Sequence, residues 1–259
     1  MNVHSYLKTI YIIYRKKLCA YLSPIKHRSY TRFVIVSHPR SGSTLLHTLL
    51  NAHPQIHSRG EILQPYINSD IHIDASKLYE HIFRPMSTNI RAVGFKFFFK
   101  YFKAPTGKAV VEELCQDKDV RIILLKRKNL LRAIISLEIA RKTRKFSSIK
   151  DSELRAKRLK SITLNPALCL ATLQQMELEQ KQLIKYFNKK KCLELTYEAL
   201  VSNQNKTVEV ILQHLGLKHR NLFSLLKRQN PEPLDQLVIN YDELKKALEG
   251  TKWYSMLYD

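Results

Sequence analysis

The run "RFVIVS" at 32–37 leads into "HPRSGSTLLHTLL", where a short Gly/Ser turn separates a strand-like segment from a helical one. Strand, turn and helix in that order make an anion trap. The N–H groups of a first helical turn have no intrahelical partners, and the helix dipole favours negative charge at that end. Gly42 lets a ligand approach the backbone, Ser43 and Thr44 add N–H and hydroxyl donors, and Arg40 adds a guanidinium fork suited to oxyanions. A nucleoside triphosphate loop would read GxxxxGK[ST]. Here Ser43 follows Gly42 and no lysine comes after it, so the lysine and Mg²⁺-ligand pair of kinases and NTP hydrolases is missing. The turn alone does not separate an anion site from a plain strand-to-helix connection.

The surrounding pattern says what must hold this turn. Four apolar, β-branched or aromatic runs predict buried strands at 32–37, 92–99, 120–126 and 192–197. Helical patterns alternate with them over Ser43 to Ala52, Gly107 to Gln116, Leu130 to Arg144, Pro166 to Phe187 and Asn205 to Leu215, with Gly216 at the C′ position of the last. That alternation predicts an α/β fold of three layers, a central parallel sheet with helices on both faces. Residues 55–90, with Pro65 and Pro85, read as an irregular insertion facing the substrate. The chain therefore divides into a basic extension, 1–31, and one domain, 32–259.

Composition limits the partners. The 259 residues carry 44 Lys+Arg against 22 Asp+Glu, a net charge of +22, which predicts attraction to polyanions. Residues 1–32 hold seven Lys/Arg and no acid, and residues 141–160 hold nine Lys/Arg and two acids. Lys8 and Arg15 bracket only six residues of the apolar run near the start, too few to span a bilayer, and no signal-peptide cleavage site follows. The segment reads either as a basic helix on an anionic membrane surface or as a packing helix with a solvated face. Cys19, Cys115, Cys169 and Cys192 show no CxxC or His/Cys cluster, so a reduced, cytoplasmic setting without metal or disulfide is expected.

More than the turn carries a resemblance. "PRSGSTLLHTLLNAHPQIHSRGEIL", "IILLKRKNLLRAIISL", "LELTYEALVSNQNKTVEVILQHLGL" and the late "RQNPEPLDQLVINYDELKKALEGTKWY" together resemble, in the right order, the sulfotransferases that use 3′-phosphoadenosine-5′-phosphosulfate (PAPS). The similarity is to bacterial carbohydrate, nodulation-factor and trehalose sulfotransferases and covers most of residues 33–255. It implies a P-loop-like fold and transfer of a sulfuryl group to a hydroxyl of a glycan or lipid-linked acceptor, without a metal. By that resemblance, Arg40 is the cation for the leaving group. Ser41, Gly42, Ser43, Thr44 and Leu45 cradle the 5′-phosphosulfate, and Arg127 and Ser136 grip the 3′-phosphate.

The base is less direct. Cytosolic members place a histidine two residues after a strand lysine; here Lys96 is present, but Phe98 occupies the histidine position. Bacterial members use a glutamate soon after the loop helix, which makes Glu61 the candidate, with His53 and His57 as rivals. Lys96 either touches the sulfonate or snorkels from a strand end. Tyr197 is a candidate for a structural or adenine-side contact, Arg228 for a cofactor contact, and Lys126, Lys128 and Arg132 read as solvated charges.

Two other classes compete. A P-loop kinase or other phosphotransferase would need Mg²⁺ ligands that the sequence does not offer at the expected places. A nucleic-acid-binding protein would suit the charge, but RNP aromatics, zinc-finger spacing and a GXXG loop are all missing.

Overall fold

A computed structural model describes residues 11–12, 25–67, 74–144, 146, 161–187, 191–224, 226 and 228–258. After a two-residue strand β1 (Lys26–His27), the chain runs β2 (Thr31–Ser37), α1 (Ser43–Asn51), β3 (Ile56–Ser58), α2 (Gln64–Ile67), α3 (Ala75–Ile82), β4 (Met86–Ser87) and β5 (Ala92–Phe98). It continues with α4 (Pro105–Gln116), β6 (Arg121–Lys126), α5 (Leu130–Thr143), α6 (Pro166–Tyr186) and β7 (Lys191–Thr196). The last helices are α7 (Tyr197–Ser202), α8 (Gln204–His214), α9 (Leu234–Leu237) and α10 (Tyr241–Leu248).

The central sheet has five parallel strands in the order β3-β5-β2-β6-β7. Because side chains alternate along a strand, each central strand feeds two cores. Val34, Val36, Phe95, Phe97, Ile122 and Leu124 face α3 and α4. Phe33, Ile35, Ile123 and Leu125 face α1 and α8. Burial on both faces is why these strands read as continuous apolar runs. A third apolar cluster joins α5 and α6 to the C-terminal α9 and α10. The expected three-layer α/β fold is the one observed.

Topology places the ligand crevice. After β2 the chain leaves for β3 on one side of the sheet, and after β6 it leaves for β7 on the other. Their adjacent carboxyl ends form a topological switch point, where open parallel sheets bind ligands. The turn at 38–44 and Arg127 both emerge there.

The described parts of 55–90 hold more regular structure than the sequence suggests. Three residues of β3 pair with β5, and β4 pairs antiparallel with β1, so Lys26 and His27 are tied to the domain. Three- and two-residue strands are too short to show an alternation in sequence. Tyr197, read as the end of a strand, instead begins α7, with the Thr196 side chain accepting from the Ala199 N–H.

One close approach makes a test. A Cβ on Gly107, in the first turn of α4, would lie 1.8 Å from the Tyr101 carbonyl oxygen of the preceding 3₁₀ turn. Ala in a helix is ordinarily worth about 1 kcal/mol over Gly, but overpacking costs about 1–3 kcal/mol. Against a rigid backbone atom the clash wins. Gly107→Ala is expected to lower the melting temperature by about 3–8 °C; a rise on calorimetry would show that the 3₁₀ turn yields.

Candidate active site

The turn between β2 and α1 is built around two left-handed residues, Arg40 (φ 65°) and Gly42 (φ 84°). For Arg40 that conformation costs about 1–2 kcal/mol, and its surroundings hold it there. Its carbonyl accepts from Arg127 Nη1 at 2.8 Å, and its guanidinium donates to Ser136 Oγ at 3.0 Å, the Phe146 carbonyl at 2.6 Å and Gln229 Oε1. Gly42 is the N-cap of α1 and has no side chain to cap the first turn, leaving N–H groups for an outside acceptor. Ser41 and Ser43 are buried beside it, and the Ser41 hydroxyl has no partner among the described residues. Leu45 turns its side chain to the core below, so its contribution to the mouth is its backbone.

Arg127 follows the last residue of β6. Its guanidinium stacks on the Tyr197 ring at 4.7 Å, and its Nε is buried without a partner among the described residues. Burial pushes the Arg127 guanidinium down to about 10, outweighing the opposing pull of Tyr197 and Glu198, and the nearby charges of Arg228 and Arg132 add a smaller push in the same direction as burial. Arg40 is likewise pushed down by burial. Both cations sit where the positive charge is poorly compensated, so an anion would relieve them.

The other wall of the turn is made by β3 and β5. Their parallel pairing continues past β3, with the Arg59 N–H donating to Gly94 O and the Lys96 N–H to Gly60 O at 2.8 Å. That register brings Glu61 to Lys96. Lys96 is 3% exposed, and its ammonium donates to Glu61 Oε1 at 2.9 Å and to Thr44 Oγ1 at 3.1 Å. It therefore does not snorkel to solvent; it is anchored at the helix mouth. Phe98, at the position of the absent histidine, presents its ring to Lys96 at 5.4 Å.

The candidate residues thus form two groups against one turn: Arg40, Arg127 and Ser136 on the β6 side, and Lys96, Glu61 and Thr44 on the β5 side. His53 is buried, with its Nδ1 accepting from the Gln55 N–H at 3.1 Å, and His57 lies within β3. Lys126 is paired with Glu194 at 2.5 Å and Arg132 donates to the Glu232 carbonyl, so neither is a merely solvated charge.

Tyr197, a candidate for a structural or adenine-side contact, makes a structural one, and Glu198, Gln229 and Asn230 join the site without a role in the sequence reading. The Tyr197 ring lies over Gly42, so closely that a Cβ there would be 2.4 Å from its Cδ2. Glu198 accepts from the N–H groups of Lys128 at 3.1 Å and Asn129 at 3.4 Å. The Tyr-Glu pair therefore clamps both turns, the ring on one and the carboxylate on the other. Asn230 donates to Ser136 Oγ at 3.2 Å, and with Gln229 it brings the late segment onto the site. Two adjacent residues with opposite duties at a strand end leave no periodic signal.

The profile described as the sulfotransferase family matches residues 32–105, which span the turn, Glu61 and Lys96. Along that segment the chain is similar to the sulfotransferase family. It is 27% identical to nodulation protein H of Rhizobium meliloti strain 1021 over 224 residues, covering 82% of this chain and 89% of that protein. It is 28% identical to nodulation protein H of Rhizobium tropici over 231 residues, covering 84% and 89%. In fold it is similar to a sulfotransferase from Alicyclobacillus acidocaldarius, with a TM-score of 0.52 at 17% identity, over 87% of this chain and 93% of that one.

Arg127 offers the most direct check of the site. Arg127→Met preserves bulk over Tyr197 but removes the charge and its donors. Binding of adenosine 3′,5′-bisphosphate, measured by calorimetric titration, is expected to weaken about ten- to a hundredfold. An unchanged dissociation constant would remove Arg127 from the binding site.

Proposed function

We propose that this sulfotransferase moves the sulfuryl group of PAPS to a hydroxyl of a glycan or glycolipid acceptor. The observation that carries the reading is the meeting, at the switch point, of an uncapped helix start with a half-buried guanidinium whose buried Nε has no partner among the described residues. An anion with two separated charged groups suits that pair. The acceptor class follows the resemblance to bacterial carbohydrate and nodulation-factor sulfotransferases, and the chain is similar to nodulation protein H over most of its length.

PAPS supplies an activated sulfuryl group on a phosphate leaving group. The protein's share is positioning and charge stabilisation, as in phosphoryl transfer. The backbone from Ser41 to Leu45, with the hydroxyls of Ser43 and Thr44, holds the 5′ end. Arg127 and Ser136 hold the 3′-phosphate. Arg40 neutralises charge on the leaving group; its present partners are neutral oxygens, and charge-assisted bonds to phosphate are about twice as strong. Lys96 stabilises charge on the group in transfer. Glu61, 39% exposed at its side chain, accepts the proton of the acceptor hydroxyl.

Among the described residues there is no group of three or more His, Cys, Asp or Glu side chains able to hold a metal ion. We assign the chemistry to fixed cations and amides. No helix among the described residues is long and apolar enough to cross a membrane. We place the protein in the cytoplasm, with its basic extension in peripheral contact with an anionic membrane.

Two measurements test this. Adenosine 3′,5′-bisphosphate should raise the melting temperature without magnesium, and ATP far less; equal, strictly Mg²⁺-dependent stabilisation by both would favour a phosphotransferase instead. Glu61→Gln keeps an oxygen acceptor for Lys96. It should lower turnover about a hundredfold with labelled PAPS and extracted glycolipid acceptors while nucleotide stabilisation persists. Normal turnover would pass the base role to a histidine.

A further inference from the structure

The opposite edge of the sheet carries a second concentration of positive charge. The strands are parallel, so Thr31 of β2 and Arg121 of β6 mark the amino ends, and Arg91 directly precedes β5. A cleft of about 780 Å³ opens there, lined by Arg28, Arg32, Arg91, Arg121 and Lys218 with Asp119 as its one acidic residue. β2 has seven residues, so at about 3.3 Å per residue this cleft lies roughly 20 Å from the turn at 38–44.

The five cations fall into two kinds. Arg32 and Arg121 are fixed by the fold: Arg32 forks onto Asp117 at 2.5 and 2.9 Å, and Arg121 donates to the His214 carbonyl at the end of α8. Arg28, Arg91 and Lys218 are exposed, and their side chains have no hydrogen bond or ion pair among the described residues. Three unpaired cations around a cavity, backed by two held in place, repel one another until an anion enters. Guanidinium forks of this kind match the geometry of phosphate oxygens.

We propose that this cleft binds a phosphate ester presented as the headgroup of an anionic lipid. Arg28 to Arg32 form one wall of the cleft and continue directly from the amino-terminal extension, which is basic, free of acids and rich in Tyr, Leu and Ile. Adjacent cations and apolar residues are the two signals that stable peripheral attachment requires. The proposal deepens the membrane reading of the extension and is independent of the PAPS reading. The cleft and the candidate active site lie at opposite ends of the strands, so headgroup and nucleotide can be bound together.

Full-length protein would be sedimented with vesicles of phosphatidylcholine alone or with about one-third phosphatidylserine, and titrated separately with inositol hexakisphosphate as a soluble phosphate ester. Of the two kinds of vesicle, only the anionic one is expected to bind. The triple variant Arg28→Glu, Arg91→Glu, Lys218→Glu should weaken it about a hundredfold, with stabilisation by adenosine 3′,5′-bisphosphate unchanged. A companion variant, Lys8→Glu, Arg15→Glu, Lys16→Glu, tests the extension by itself, and a partial loss there alongside the cleft effect supports the proposal. Hexakisphosphate binding that is lost in the cleft variant, without vesicle binding, would retain the phosphate-ester site and make its ligand soluble. The proposal falls if the cleft variant binds vesicles like the wild type, or if neither probe binds.

Discussion

The site depends on one steric fact: α1 starts at a glycine in the left-handed region, pressed under an aromatic ring. Gly42 leaves the first turn of the helix without a side-chain cap, and the Tyr197 ring occupies the space where a Cβ would be. A serine or aspartate there would cap the N–H groups from within the chain and satisfy them. With glycine they stay directed outward. The same ring carries Arg127 on its face, so a single side chain fixes the spacing between the uncapped amides and the guanidinium.

Around that contact the charges are deliberately unequal. Arg40 and Arg127 are half-buried among carbonyls, hydroxyls and rings, and the carboxylate of Glu198 is spent on the backbone of the Arg127 turn. Of Arg40, Arg127 and Lys96, only Lys96 has an ion pair with a carboxylate among the described residues, with Glu61. The two sides of the turn therefore differ in character. On the β6 side positive charge awaits a ligand, which suits binding. On the β5 side an ammonium and a carboxylate already face each other beside Thr44, which suits moving a proton while charge develops nearby.

The parts legible in the sequence are those governed by local periodicity. β2, β5, β6 and α1, α4, α5, α6 and α8 lie within two residues of their expected bounds, because strands buried on both faces and amphipathic helices each leave a repeating pattern. Glu61 and Lys96 were reachable only through family resemblance, since what joins them is the register of a three-residue edge strand. The hold of Gln229 on Arg40, nearly two hundred residues away in sequence, and the double duty of Tyr197 and Glu198 are tertiary facts. No window of sequence contains both partners of such contacts, so composition and spacing pass over them.

The large net charge also acquires a structure once the fold is known. At physiological ionic strength the Debye length is about 8 Å, so exposed charges such as Arg91 and Lys218 act weakly on groups roughly 20 Å away. The cations at the carboxyl edge, around Arg127 and Arg40, and those at the amino edge, around Arg91 and Lys218, therefore act as separate fields. A diffuse excess would attract any polyanion with equal indifference. Two localised fields at opposite ends of the same strands can each select their own ligand, and neither has to be emptied for the other to be filled.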